Sequence, residues 1–274
     1  MTVPETFQFT QGNLQDYVEC QRRFQLRYVL MQPWPGLITS SPEEFEQHVE
    51  RGAALHRLAH QAFRGIEPER LSETIHDETL ARWWQTFLRQ PPADLPQEVR
   101  RAETVLAAPL AGHRLLAKYD LIAVQPGRRL VIVDWKTARR RPRRSDLARR
   151  LQTVVYRYLA VEAGAELNEG RPPQPEQVEM IYWFAQSHGE TERFAYDQSQ
   201  HESARAYLGD LVNQVAAHTE PIWPLTADES RCRFCNYRSL CERGVRAGFF
   251  DDFDEDAEPF EDVIDLEQIA EVEF

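Results

Sequence analysis

The chain contains four cysteines, and their distribution limits how it can fold. Cys232, Cys235 and Cys241 form a C-x2-C-x5-C cluster, whereas Cys20 lies more than two hundred residues earlier. Two thiolates separated by two residues can bind one metal centre from a single tight turn, so the cluster predicts metal binding. If Cys20 completes that centre, the N-terminal and C-terminal parts of the chain must meet in the fold.

The cysteine spacing alone leaves the nature of this centre open. Disulfides are disfavoured in an intracellular chain that is long enough to form its own core. Four thiolates with no spare cysteine suit either Zn²⁺ or an iron–sulfur cluster. The alternative is a redox-active pair together with two unrelated buried thiols.

The composition is that of an ordinary globular protein. The chain has 274 residues, of which 42% are hydrophobic and 28% charged, enough to bury a sizeable core. Its apolar stretches are far shorter than the ~20 residues that a membrane span requires. Its N-terminus lacks a basic segment followed by an apolar run, so no secretion signal is predicted. The sequence therefore excludes a membrane protein, a collagen-like chain and a largely disordered chain, and predicts a cytoplasmic location.

The net charge of −12 comes entirely from one end of the chain. Residues 249–274 contain twelve acids and no lysine or arginine, and the other 32 acids are balanced by 32 basic residues. We call residues 249–274 the acidic tail and expect it to be mobile or docked on a basic surface. Overall acidity therefore does not argue against nucleic-acid binding by the rest of the chain.

Basic residues are concentrated in the middle of the chain. Seven arginines, opposed only by Asp146, fall between positions 139 and 150, and we call this stretch the arginine segment. It predicts either a solvated helix face or a phosphate-binding surface. The arginines are Arg139, Arg140, Arg141, Arg143, Arg144, Arg149 and Arg150.

The periodicity of apolar residues predicts strands in the middle of the chain with helices on either side. Helical spacing is seen over Asn13–Met31, Glu43–Phe63, Thr74–Arg89, Ser145–Ala163 and His201–His218. Strands are predicted over Glu98–Leu110, Arg114–Val124, Arg129–Trp135, Val178–Ala185 and Glu190–Tyr196. The continuously apolar run at 130–133 is typical of a central strand that is covered on both faces.

Two carboxylates and a lysine form the candidate chemical site. Asp120 and Asp134 lie near the ends of adjacent predicted strands, and Lys136 follows two positions after Asp134. Residues two apart in a strand point to the same face, so Asp134 and Lys136 should share one location. Mg²⁺ prefers carboxylates and water as ligands, and a nearby lysine can stabilise charge that develops on a phosphate. On its own, however, the D-x-K pattern is a weak signal and more often marks an exposed, salt-bridged strand end.

Further motifs make this pattern more specific. They are Cys20, the helix Arg51-Gly52-Ala53-Ala54-Leu55-His56, Asp120, the D-x-K of Asp134 and Lys136, the Q-x3-Y pair Gln152 and Tyr156, and the three late cysteines Cys232, Cys235 and Cys241. In this order the chain from Cys20 to Cys241 resembles the PD-(D/E)XK nucleases, in particular the RecB-like branch that carries an iron–sulfur cluster. That branch includes CRISPR-associated adaptation nucleases and the nuclease domains of AddB-type recombination proteins. One departure is that Ala117 stands where the family usually has the glycine of G-x-x-D.

The resemblance implies a fold. This is a restriction-endonuclease-like central mixed sheet flanked by helices, with a helical layer clasped by a four-cysteine metal cluster. A single domain would span residues 1–248, with its core at about 43–218 and cluster-bearing helical parts at 13–31 and 219–245.

The resemblance also implies a role for each motif residue. His56, Asp120 and Asp134 would bind Mg²⁺ or Mn²⁺ together with the Trp135 backbone carbonyl, and Lys136 would act on the attacking water. Cys20, Cys232, Cys235 and Cys241 would bind a 4Fe-4S cluster, with Zn²⁺ as the alternative. Gln152 and Tyr156 would support the site and contact DNA, and Arg139, Arg140 and Arg141 would neutralise DNA phosphates. Glu103, an acid in the preceding strand, is a weaker candidate for the site, and the preferred interpretation is a surface residue.

The implied activity is metal-dependent hydrolysis of DNA, as an exonuclease on single strands or DNA ends. The implied context is DNA repair, recombination or CRISPR adaptation, with a helicase or another DNA-processing protein as a partner. The alternative is a partner subunit of the same fold that binds nucleic acid without cleaving it.

Overall fold

A computed structural model describes residues 2–33 and 42–244, with the side chains of 42–46 excepted. The acidic tail lies outside the described residues, so the expectation that it is mobile or docked remains a prediction. No helix in the described part of the chain is both long and apolar enough to cross a membrane.

The described chain alternates between helical and extended segments. The helices are α1 (Gln11–Glu19), α2 (Gln21–Phe24), α3 (Pro42–Phe63), α4 (Pro68–Glu73), α5 (Glu78–Arg89), α6 (Arg144–Arg149), α7 (Leu151–Ala163) and α8 (Gln198–Ala216). The strands are β1 (Gln8–Phe9), β2 (Val99–Leu110), β3 (His113–Gln125), β4 (Arg129–Lys136), β5 (Val178–Phe184) and β6 (Glu190–Ala195).

The strands form one mixed sheet, in the order β1-β3-β4-β5-β6, with β2 also paired to β3. Pairs β2–β3, β3–β4 and β5–β6 are antiparallel, and pairs β1–β3 and β4–β5 are parallel. Because β2 takes one edge of β3 along its length, β1 and β4 share the other edge. β1 pairs with 114–115 and β4 with 121–125, so residues 116–120 of β3 lie between these two partners.

Helices cover both faces of the sheet, as the α/β prediction requires. One hydrophobic cluster includes residues of α1, α7 and α8, and the other includes residues of α3, α4 and α5. Residues of β4 alternate between the two clusters: Leu130 and Ile132 join the first, and Val131 and Val133 the second. All four are buried, which confirms the prediction of a central strand covered on both faces.

Three predicted helices differ from the structure. Two of them are interrupted by an extended residue, and the third begins later than predicted. Cys20 is extended and separates α1 from α2, and Arg150 likewise separates α6 from α7. The helix predicted from Thr74 begins at Glu78, where the Asp77 carboxylate accepts a hydrogen bond from the Leu80 N–H and caps the helix. Apolar spacing continues through such breaks, so periodicity alone did not reveal them.

The alternation of side chains in β3 slips at Asp120. Ala117 and Tyr119 belong to the α7-side cluster, Leu121 to the α3-side cluster, and Ile122 to the α7-side cluster again. Glu103 and Asp120 face each other between the pairs Ala102–Leu121 and Thr104–Tyr119 but are not themselves paired in the β2–β3 register. Glu103 has a left-handed backbone, with φ of 53°. Since this conformation is uncommon for a residue with a side chain, the slip marks a local departure from regular sheet geometry.

The two ends of the described chain meet, as the cysteine distribution predicts. The Arg22 N–H donates to the Pro224 carbonyl at 3.0 Å. The Trp223 N–H donates to the Gln25 side chain at 2.9 Å. The rings of Phe24 and Trp223 stack with their centroids 5.6 Å apart. These contacts hold the residues around Cys20 against the segment that leads into the late cysteines.

Candidate functional site

The D-x-K motif forms the C-terminal end of strand β4. Asp134 and Lys136 are both buried. The Lys136 ammonium lies 3.1 Å from one carboxylate oxygen of Asp134, and the Gln152 amide of α7 donates to the other at 2.7 Å. Asp134 and Lys136 therefore share one location, as their spacing predicts.

Asp120 and His56 meet at the same end of β4, from β3 and α3. His56 Nδ1 lies 3.0 Å from a carboxylate oxygen of Asp120, and Nε2 lies 2.9 Å from the Trp135 carbonyl oxygen. The Trp135 N–H donates to the other Asp120 oxygen at 2.8 Å. His56 and Asp120 are both partly exposed, so this part of the site opens to solvent.

Charge in the site is strongly coupled. Both nitrogens of His56 face acceptor oxygens, so both must carry a proton to donate. Burial lowers the pKa of His56, but the adjacent Asp120 and Asp134 carboxylates outweigh it and raise that pKa to about 9. Burial raises the Asp120 pKa, but His56 outweighs it and leaves the pKa below its usual value. The pair thus holds a proton among oxygen and imidazole ligands that would suit a divalent cation.

Glu103, only a weaker candidate from the sequence, also reaches this site. In the described part of the chain, only His56, Glu103 and Asp120 place one potential ligand atom each within 4.8 Å of one another. Glu103 is half-buried and forms an ion pair with Lys118. It is therefore not the surface residue that was expected. Its position opposite Asp120 in a β-hairpin was the available signal, since cross-strand neighbours lie close together.

Gln152 and Tyr156 support the site from one face of α7. The Tyr156 hydroxyl donates to the Lys118 carbonyl at 2.8 Å, and the Gln152 amide lies 3.3 Å from that hydroxyl. Lys118 pairs with β2 on one edge of β3, but on the other edge it lies between β1 and β4, and neither of these two strands pairs with it.

Replacing Tyr156 by phenylalanine tests this support. The variant leaves the Lys118 carbonyl without its hydroxyl donor, so we expect a loss of about 1–2 kcal/mol in the free energy of unfolding. Thermal unfolding should show the melting temperature falling by roughly 3–6 °C. Tyr207→Phe, at an exposed tyrosine of α8, is the matched control and should leave it unchanged. Equal melting temperatures for both variants would contradict the supporting role.

The arginine segment follows β4 directly, but not all of its side chains face solvent. Arg141 pairs with Glu190 and Glu192 of β6. Arg139 and Arg140 are exposed. Of the three arginines predicted to contact DNA, Arg141 is thus tied to the sheet edge.

Cys20 acts electrostatically on each of the three late cysteines, Cys232, Cys235 and Cys241. Cys20 is buried and the other three are half-buried. Burial raises the pKa values of the Cys232 and Cys241 thiols, and raises that of Cys235 to about 11, with Cys20 adding to all three. Without a metal these thiols are therefore protonated and neutral, and a metal ion would bind them as thiolates with release of their protons.

Comparison with known proteins adds to this geometry. The family model of the PD-(D/E)XK nuclease superfamily matches residues 8–242. The chain belongs to the PD-(D/E)XK nuclease superfamily. The match includes Cys20, both sheet carboxylates and the late cysteines, so all the motif residues fall within the family's extent.

One solved structure shares the fold of this superfamily member at low sequence identity. A crystal structure of a candidate exonuclease from Eubacterium rectale has a TM-score of 0.50 and 8% identity, covering 82% of this chain and 87% of that chain. A crystal structure of a protein named SSO0001 has a TM-score of 0.42 and 12% identity, covering 87% of each chain. No curated protein matches the chain significantly.

The superfamily member departs from the usual G-x-x-D pattern at one position. Ala117 is completely buried in the α7-side cluster. It pairs with Leu106 in the β2–β3 ladder. A methyl group is therefore accommodated there without breaking the strand.

Proposed function

We propose that the chain is a metal-dependent deoxyribonuclease that hydrolyses phosphodiester bonds from single strands or DNA ends. The observation that supports this most directly lies at the end of β4, where the Asp134–Lys136 ion pair and the His56–Asp120 pair flank the backbone of Trp135. The fold shared with a candidate exonuclease is consistent with an exonuclease. DNA repair, recombination or CRISPR adaptation is the proposed context, with a helicase or another DNA-processing protein as partner.

The donor atoms of the site suit Mg²⁺ or Mn²⁺. We propose His56, Asp120 and Asp134 as the side-chain ligands and the Trp135 carbonyl as the backbone ligand. Carboxylate and carbonyl oxygens are the ligands that these cations prefer, and Mn²⁺ also accepts imidazole. When bound, such a cation supplies Lewis-acid polarisation of a phosphoryl oxygen.

The surrounding residues prepare the site for this chemistry. Gln152 fixes the Asp134 carboxylate through one oxygen, which leaves the other beside the Lys136 ammonium. Lys136 is held by that ion pair at the site, where we propose that it orients the attacking water and stabilises negative charge on the phosphate. The Trp135 backbone fixes Asp120 in the same way, through its N–H.

We propose a four-iron cluster at Cys20, Cys232, Cys235 and Cys241. Four thiolates with no spare cysteine suit either an iron–sulfur cluster or Zn²⁺. The division into one early and three late cysteines resembles the iron–sulfur branch of the superfamily, and this resemblance supports the cluster, with Zn²⁺ as the alternative. The arginine Arg23, which is paired with Asp16 at 2.8 Å, acts electrostatically on Cys235 and would offset the negative charge of a thiolate-bound cluster.

Digestion of DNA substrates tests the proposed activity. Labelled linear single strands, blunt duplexes and circular single strands are incubated with Mg²⁺ or Mn²⁺, with and without chelator. We expect nucleotide release from linear substrates, abolished by chelator, and no release from circles. Cleavage of circles would identify an endonuclease instead. Binding to DNA without any release would support the non-cleaving partner subunit.

Glu103 offers a separate test of the cation site. Its proximity to His56 and Asp120 leads us to expect that Glu103→Gln weakens Mn²⁺ binding about tenfold, or roughly 1.4 kcal/mol. The measurement is calorimetric titration of the purified protein with Mn²⁺. Glu98→Gln, an exposed acid just before the same strand, is the control and should bind Mn²⁺ like the parent. Equal affinities for parent and Glu103→Gln would remove Glu103 from the site.

A further inference from the structure

Part of the positive charge of the arginine segment is neutralised by ion pairs with acids of the same chain. Arg141 and Arg144 both pair with Glu192 of β6, and Arg149 pairs with Asp146 of its own helix. The contacts of Arg141 and Arg144 attach the segment to the sheet edge beside the end of β4.

Two arginines of the segment remain available to bind an anionic ligand. Arg140 and Arg143 are exposed and pair with no acid in the described part of the chain. They follow Lys136 by four and seven residues. Thr137, the first residue after β4, accepts a hydrogen bond at its carbonyl from the Gln186 side chain at 2.7 Å. The segment therefore presents positive charge beside the candidate site.

The chain itself carries a polyanion that can reach this surface. The acidic tail has twelve acids and no lysine or arginine, whereas the rest of the chain is neutral overall. The thirty residues that follow Gly244 span about 100 Å when extended. A domain of this size has a radius of gyration of only about 18 Å, so the tail can reach any point on it.

We propose that the acidic tail docks on the exposed arginines of the arginine segment, Arg140 and Arg143, and competes there with DNA. This inference rests on the proposed function, because DNA is the ligand that the tail excludes. The tail presents closely spaced negative charges, as a nucleic-acid backbone does, and can replace it on a basic surface. Because tail and surface belong to one chain, their effective concentration is high, and weak contacts suffice.

DNA binding by truncated protein tests this competition. The affinity for a fluorescent single-stranded oligonucleotide is measured without divalent cation, for the full chain and for residues 1–248. At about 50 mM salt we expect truncation to tighten binding at least about fivefold, and the difference to shrink below about twofold near 500 mM salt, where charges are screened. Equal affinities at low salt would overturn the proposal.

A labelled peptide of residues 249–274 separates this inference from the proposed function, since its binding requires no DNA. We expect it to bind the 1–248 protein and to lose at least fivefold in affinity when Arg140→Ser and Arg143→Ser are combined. Arg171→Ser is the control, since Arg171 lies near Asn168 and the β3–β4 turn, at the opposite end of β4 from the site. If the peptide does not bind, or binds the double variant equally well, docking on these arginines is refuted even if the protein cleaves DNA. If the peptide binds as expected but no DNA is cleaved, the proposed nuclease activity fails and the docking surface stands.

Discussion

Replacing Asp134 by asparagine is expected to lower the rate of DNA cleavage by at least about a thousandfold. The substitution removes one of the proposed cation ligands and the carboxylate that faces Lys136. A metal ion at a phosphoryl centre contributes several kcal/mol to transition-state stabilisation, and about 4 kcal/mol corresponds to a factor of a thousand. The measurement is single-turnover release of nucleotides from labelled single-stranded DNA with saturating Mn²⁺.

The same variant must be shown to fold. Asparagine keeps an oxygen for the Gln152 amide, but it leaves the buried Lys136 ammonium without that negative partner, so we expect a loss of about 1–3 kcal/mol in stability. The melting temperature should fall by several degrees without loss of the native circular dichroism spectrum. Asp210→Asn, at an exposed acid of α8, is the control and should retain full activity. A folded Asp134→Asn protein with parental activity would refute the assignment of the site.

The second large effect is expected at the cysteine centre. Cys235→Ser should abolish the broad absorption near ~400 nm expected of a four-iron cluster, together with most of the bound iron and sulfide. Because metal binding stabilises the fold that forms the site, we also expect the melting temperature to fall by roughly 10 °C. The proteins are purified without oxygen, and iron, sulfide, zinc and melting temperature are measured on each.

Two outcomes of that experiment separate the alternatives. Ser239→Ala, in the same turn as Cys241, is the control and should keep both the absorption and the stability. A colourless parent with one zinc per chain would identify a zinc site and contradict the cluster. A colourless parent without metal, with Cys235→Ser equally stable, would mean that the cysteines are unrelated thiols.

The sheet was predicted closely from the sequence. The predicted boundaries of β2, β3 and β4 agree with the structure to within one residue at each end, because alternating apolar residues and the turns at Gly112 and Gly127 leave little freedom of register. The pairing of Asp134 with Lys136 followed from the same alternation.

Other features depended on contacts that local patterns do not encode. The break at Cys20 places an extended residue inside a helical pattern, next to a segment two hundred residues away. Glu103 reaches the site because β2 and β3 depart from regular alternation at the point where it faces Asp120. A period-two pattern assumes regular strands, so it assigned Glu103 to the surface.

The most direct test of the cation site is the location of Mn²⁺ in a crystal of the protein, from anomalous scattering near the manganese absorption edge. We expect a peak in bonding contact with the His56 ring, the Asp120 and Asp134 carboxylates and the Trp135 carbonyl. A Mn²⁺ ion bound elsewhere, with the His56–Asp120 hydrogen bond intact, would contradict the central claim.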